Sequence, residues 1–166
     1  AHLADIDPVT LYRLLQLRAD VFVVEQECAY PELDGRDLEP DALMLWTELT
    51  RETQSTGETG QDGEVVATLR ILRDDTELRI GRVVTAPEAR GTGVARELFQ
   101  RAVDECGRIA ADLPIVLDAQ EPLEGWYGSF GFVRESDMFL EDGIPHVTMR
   151  KAPGHGNRLQ LSVTDA

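Results

Sequence analysis

Apolar and polar positions follow two different periods along this chain, and the switches between them divide it into elements. In residues 7–22 the apolar Leu11, Leu14, Leu15 and Phe22 recur at helical spacing, with Arg13, Gln16 and Asp20 on a wetter side. Asp7 before Pro8 is a helix-start signal, because an aspartate accepts from free first-turn amides and proline's fixed φ suits that turn. A helix is therefore predicted from Pro8 to Phe22. Residues 42–49, 64–72 and 77–86 read as strands. Between the first two, residues 50–63 are polar, carry three glycines and show no periodicity, which predicts a long mobile hairpin loop.

Further on, Val94, Leu98, Ala102, Cys106 and Ile109 are spaced by four, four, four and three, the signature of an amphipathic helix over 93–112. Residues 114–119 are a short continuous apolar run of the kind buried inside a sheet, and Pro122 then opens a short helix that Gly131 ends. Two strands, 132–141 and 144–150, close the pattern across Asp142-Gly143, a strong hairpin-turn dipeptide. The mixed strand and helix order, with no internal repeat or heptad array, predicts an α+β fold. One domain is expected over 1–153, with 154–166 as a weakly ordered extension.

Composition changes this picture only by exclusion. A chain of 166 residues suits one domain, which buries roughly 70% of its unfolded surface without help from disulfides or metals. Cys28 and Cys106 form no CxxC pattern and there are three histidines, so neither a disulfide scaffold nor a metal site is signalled. No run approaches the ~20 apolar residues that span a bilayer, and the opening residues lack the order of a signal peptide, so a soluble, cytoplasmic protein is expected. With 31 acidic against 16 basic residues the formal charge is -15, which opposes nucleic acids and anionic membranes and draws cationic molecules. The plainer reading of that charge is a surface kept soluble by carboxylates. The sequence leaves the oligomeric state open.

Candidate chemistry begins at "RGTGVARELF", residues 90–99, where two glycines precede the predicted central helix. A helix's first turn leaves amides unpaired and concentrates positive dipole, so permissive backbone there lets a phosphate approach bare N–H groups. A pyrophosphate over the segment Gly91, Thr92, Gly93, Val94, Ala95 and Arg96 would have the Arg90 and Arg96 side chains nearby. The glycines alone also fit a tight strand-to-helix turn with no ligand. The third small residue of a dinucleotide fingerprint and the Gly-Lys-Ser/Thr ending of a P-loop are both missing.

The stretch "RVVTAPEARGTGVARELFQRAV" resembles the acetyl-coenzyme A motif of the GNAT N-acetyltransferase superfamily, Q/R-x-x-G-x-G/A, with Arg90, Gly93 and Ala95 at its defining positions. Downstream, "QEPLEGWYGSFGF" resembles the block N-x-x-A-x-x-x-Y followed by Gly-Phe, with Tyr127 and Gly131-Phe132 matching, Gln120 at the asparagine position and Leu123 at the alanine position. The blocks "LYRLLQLRADVFVVEQECAYPELDGRD" and "EDGIPHVTMR" are similar to the opening and closing blocks of the ElaA-like branch of that superfamily.

The resemblance implies a mixed central sheet flanked by helices, whose strand carrying Val83 and Val84 splays from the strand 114–119 so that pantetheine lies in the gap. It implies acetyl-coenzyme A as co-substrate, Gln120 as a pantetheine contact, direct transfer to a primary amine of a small molecule or peptide, and Tyr127 as the acid beside the leaving sulfur. Tyr127 also reads as a packing aromatic with Trp126 and Phe130. The oxyanion is expected to meet a backbone N–H of the Val83-Val84 strand. Glu25 and His146 are the candidate bases for the attacking amine. Cys28 as an acetylated nucleophile with His146 is the less favoured route, and Asp34 and Asp37 read either as ligands of a cationic acceptor or as Asx-turn residues. Two rivals compete with the enzyme: an acyl-coenzyme A sensor without turnover, and an interaction module that uses the acidic surface.

Overall fold

Helix α1, Pro8–Arg18, starts where the sequence signals it, with the Asp7 carboxylate accepting from the amides of Val9 (2.9 Å) and Thr10 (3.2 Å). The structure, a computed structural model, describes residues 1–50 and 63–154. Most of the predicted loop 50–63 and nearly all of the predicted extension 154–166 lie outside the described residues.

The helix predicted as far as Phe22 instead widens after Arg18 into π-helical turns, Ala19–Glu25. Gln26 N–H reaches back to Val21 O (3.1 Å) and Cys28 N–H to Val23 O (3.2 Å), five residues each. Val21, Val23 and Val24 crowd these turns with β-branched side chains, which lose rotamer freedom against a tight α-turn. π-turns inside helices recur at functional sites, and here Val21, Phe22 and Glu25 come to line a cleft.

Seven strands form one mixed sheet: β1 (Leu43–Thr50), β2 (Gly63–Arg73), β3 (Leu78–Thr85), β4 (Ile115–Gln120), β5 (Val133–Arg134), β6 (Phe139–Glu141) and β7 (Ile144–Lys151). Their order is β1-β2-β3-β4-β7-β5, with β6 also pairing β7. Neighbours are antiparallel except β3 and β4, which run parallel. The single strand predicted over 132–141 is two short ones. At the break the Ser136 hydroxyl accepts from Thr148 N–H (2.9 Å) in place of a main-chain carbonyl, which ends the regular ladder with β7. The turn at Asp142 (φ 50°) and Gly143 (φ 81°) joins paired Glu141 and Ile144, a two-residue hairpin with both central residues left-handed, as the dipeptide predicts.

Alternation in β2 builds a core on each face. Ala67, Leu69 and Ile71 meet helix α2 (Val94–Ile109), whose Phe99 and Ala102 are fully buried, and helix α3 (Glu124–Gly128). Val66 faces the other way, onto Leu14 and Leu17 of α1 and Val21 of the π-turns. Each such aliphatic side chain contributes ~2 kcal/mol by leaving water. The sheet is therefore covered on both sides, and what remains open is its middle.

Candidate functional site

That opening follows from register. β3 and β4 are joined at Leu78–Ile115 and Arg79–Val116 and nowhere beyond, so the strands part toward Thr85 and Gln120. A bulge drives the parting: three β3 steps, Val84 to Gly81, oppose two β2 steps, Thr68 to Arg70. Within it Arg82 holds φ 54°, a left-handed conformation that costs a non-glycine residue ~1–2 kcal/mol. Ala86 N–H donates to Val66 O (2.8 Å), and counting back by twos puts Val84 N–H onto Thr68 and turns the main-chain groups of Thr85 to the opening.

The parted strands hold a cleft of about 700 Å³. Of the residues singled out by sequence, Val83, Val84, Arg90, Gly91, Gly93, Ala95 and Gln120 line it, as do Glu25, Tyr127 and His146. Thr92, Val94 and Arg96 lie beside it on the turn and first helical turn rather than on its lining.

At the turn into α2, Gly91 (φ 76°) and Gly93 (φ 92°) hold conformations that only glycine adopts without strain. No side chain caps the helix, and the Thr92 hydroxyl, the obvious candidate, donates instead to Ala89 O (2.6 Å). The amides of Val94, Ala95 and Arg96 meet no protein acceptor among the described residues, since the first helical bond is Glu97 N–H to Gly93 O (3.1 Å). Positive dipole and unpaired donors coincide there, which suits a diphosphate. Arg96 lies over the Phe130 ring (4.7 Å) and donates to the Ser129 hydroxyl (3.0 Å), beside that helix start. Arg90 is turned elsewhere: its guanidinium joins Thr85 O (3.3 Å) to Glu25 (2.8 Å), so what it offers a diphosphate is main chain.

Tyr127 is 6% exposed and packs edge-on against Phe99 (5.2 Å) and Trp126 (4.9 Å). Its hydroxyl has no protein hydrogen-bond partner among the described residues, and burial pushes its pKa well above the ordinary phenol value, so the proton stays on. His146 is 9% exposed and stacks on Phe139. Its Nδ1 lies 2.8 Å from Ile144 O, and a carbonyl only accepts, so Nδ1 carries a proton and in the neutral ring Nε2 is the nitrogen with the lone pair. Glu25 is held below the usual carboxylate range by the hydrogen bond from Arg90, which weakens it as a proton acceptor.

On the opposite wall, the loop after the π-turns carries three carboxylates that meet arginines from three elements. Arg18 of α1, fully buried, donates to Glu32 (2.7 Å) and Asp37 (3.1 Å). Arg70 of β2 binds Asp34 through both oxygens (2.7 and 2.8 Å) and Asp37 (3.1 Å). Arg82 donates to Asp34 (3.2 Å) and to Glu32 O (3.1 Å), and its guanidinium lies over Tyr30 (5.6 Å). Its Nε approaches Glu32 Oε1 to 3.0 Å without the alignment of a hydrogen bond. Asp34 also accepts from Arg36 N–H (3.0 Å), the Asx-turn role, so both aspartates are engaged rather than free for a ligand. Helical spacing gave no hint of a buried Arg18. The signal available was the run of acids in "YPELDGRD" against arginines at strand positions. Cys28 is buried on the cleft wall, its thiol facing Asp142 O (3.4 Å), while burial pushes the Cys106 thiol up to about 12 within α2.

Among the described residues there is no group of three or more metal-ligating side chains, and no helix is long and apolar enough to cross a membrane. Comparison with known proteins agrees with the geometry. Residues 44–153 match the family model of the acetyltransferase (GNAT) domain. The chain is 45% identical over 156 residues to a UPF0039 protein of Mycobacterium tuberculosis, covering 92% of this chain and 90% of that protein. It is 37% identical over 155 residues to protein ElaA of Escherichia coli, covering 90% and 92%. The crystal structure of an acyl-CoA N-acyltransferase from Pseudomonas aeruginosa superposes with a TM-score of 0.79 at 41% identity, over 92% of this chain and 96% of that one.

Proposed function

The chain belongs to the GNAT acetyltransferase family, and from that premise we propose that it transfers the acetyl group of acetyl-coenzyme A directly to a primary amine. The observation that carries the reading is the parting of β3 and β4 after Arg79 and Val116, beside an uncapped helix start. The residues present fit the co-substrate: free amides at Val94 to Arg96 for a diphosphate, and open strand edges for an extended, amide-bearing arm.

In this mechanism the first turn of α2, with Gly91 and Gly93 before it, holds the diphosphate, and the edges of β3 and β4 near Val83 and Gln120 hold pantetheine. A main-chain N–H at the bulge, at Val83, meets the oxygen that becomes negative as the amine attacks the thioester carbonyl. The attacking nitrogen, with a pKa near ~10, must first lose a proton. His146 takes it on Nε2, because Nδ1–H is committed to Ile144 O and Glu25 to Arg90. Tyr127, still protonated in its apolar pocket, donates to the departing sulfur, and solvent restores both groups.

The test pairs two measurements: thermal stabilisation by acetyl-coenzyme A, and free-thiol release from it over a panel of amines and peptides. Stabilisation with amine-dependent release supports the enzyme. Stabilisation with no release under any acceptor favours an acyl-coenzyme A sensor, and neither effect removes the coenzyme from the reading altogether.

A further inference from the structure

The charges lining the cleft cancel in pairs everywhere but one place. Its arginines are all matched by carboxylates: Arg90 by Glu25, Arg79 by Asp118, Arg36 by Glu39 and Asp74, Arg70 by Asp34 and Asp37, and Arg82 by Asp34 and Glu32. Three of the five lining carboxylates are used in this way. The other two, Glu141 and Asp142, are exposed at the turn between β6 and β7 and have no arginine partner among the described residues. Among the described residues, the lining carboxylates without an arginine partner are thus confined to that turn.

A second, independent feature points at the same spot. His146, 9% exposed, has Nδ1 fixed on Ile144 O, and Nε2 makes no hydrogen bond; its nearest charged neighbour is Glu141 Oε2 at 3.9 Å. That distance is too long for a hydrogen bond and suits a nitrogen between the two. A nitrogen ~2.8 Å from each atom would see them about 90° apart, within reach of two N–H groups of one ammonium.

Resting on the transferase reading, we propose that the acceptor enters as an aliphatic ammonium held between Glu141 and His146, and that Glu141 with Asp142 selects amines carrying a second positive charge. One N–H of the ammonium donates to Glu141 and another to His146 Nε2. Transfer of that second proton to Nε2 leaves a neutral amine and an imidazolium, and Glu141 offsets the imidazolium's charge. The amine's lone pair then forms the C–N bond as the C–S bond breaks. An acceptor with a carboxylate in place of the second cation would meet two unpaired acids with no arginine free to receive it, and is rejected.

Calorimetric titration of putrescine, n-butylamine and γ-aminobutyrate into the protein saturated with coenzyme A tests this without turnover. Putrescine is expected to bind at least tenfold more tightly than either other amine. Glu141→Gln should weaken putrescine at least tenfold, and Asp142→Asn should shrink the gap between putrescine and n-butylamine, with coenzyme A affinity unchanged in both variants, which reports their folding. Equal binding of γ-aminobutyrate, unaltered putrescine affinity in Glu141→Gln, or a coenzyme A complex that ignores putrescine overturns the inference while leaving the transferase reading intact. Failure to bind coenzyme A at all overturns the transferase reading itself.

Discussion

Replacing Tyr127 by phenylalanine separates chemistry from packing, because the ring makes the contacts while the proposed mechanism uses only the hydroxyl. The ring keeps its contacts with Phe99 and Trp126, and the hydroxyl has no protein acceptor to abandon, so no buried hydrogen bond is lost. Stability should stay within ~0.5 kcal/mol, about 1–2 °C in Tm at this chain length. Turnover should not. A positioned acid is worth ~10²–10⁴, and a thiol of pKa ~8.5 is a fair leaving group, so the low end applies: ~100-fold in kcat, about 2.7 kcal/mol of barrier. The wild-type proton is also durable. Burial raises the phenol's pKa above its ordinary value of ~10, so ionisation of Tyr127 should not depress kcat anywhere below pH ~10. The assay is thiol release at saturating acetyl-coenzyme A with an accepted amine, alongside coenzyme affinity and a melting curve. A kcat within threefold of wild type, or a fall in Tm beyond ~5 °C, would make Tyr127 a packing residue and refute the acid assignment.

Glu25→Gln should leave kcat within threefold while His146→Gln lowers it ~100-fold, and the reverse order would move the base to Glu25. Gly93→Ala gives a Cβ that meets nothing within 4 Å, so its cost is the strain at φ 92°, ~1–2 kcal/mol. Relaxing that turn should weaken coenzyme A at least tenfold by calorimetry, and unchanged affinity would place the diphosphate elsewhere. Asp34→Asn, whose side chain is 28% exposed, should cost ~1–3 kcal/mol at pH 7 by urea unfolding. The Arg70 guanidinium holds the Asp34 carboxyl well below its usual range, so this contribution is full above the unfolded pKa of ~3.9 and fades as pH falls through the lower folded value; a gap between the two proteins that ignored pH below ~4 would contradict it.

What the sequence made legible was whatever depends on local spacing. The Asp7-Pro8 start, the Val94 to Ile109 stripe and the Asp142-Gly143 turn each encode their element within a few residues, and each is found where predicted. The glycine turn was legible for the same reason. The widening after Arg18 was not, because a short π-segment shifts the ladder by one residue within a run too brief to set a period of its own. Nor was the break at Ser136, where one hydroxyl replaces one carbonyl. At the site, the residues drawn from motifs gather around one cleft, but their partners do not follow from motifs. Pairing Arg90 with Glu25 joins positions 65 apart, and the Glu141 contact with His146 depends on hairpin register.

The two ends of the cleft are consequently built from different materials. The end at the start of α2 rests on apolar contact: Phe99, fully buried, meets Trp126, Tyr127, Phe130 and Phe132, and this cluster fixes α2 and α3 against the sheet. The opposite wall has little of that kind, since Leu33 and Leu38 stand in solvent, 59% and 75% exposed. What holds its loop is Glu32, Asp34 and Asp37 on Arg18, Arg70 and Arg82. Apolar residues of similar volume would often be as stabilising as buried ion pairs, but they would let the loop slide, whereas two-oxygen contacts fix direction as well as distance. Arg82 gives that rigidity a function. Its left-handed φ belongs to the bulge that parts β3 from β4, and Glu32 and Asp34 grip its guanidinium, so the loop is tied directly to the bulge. The loop wall of the cleft and the bulged strand β3 are thereby set by the same contacts.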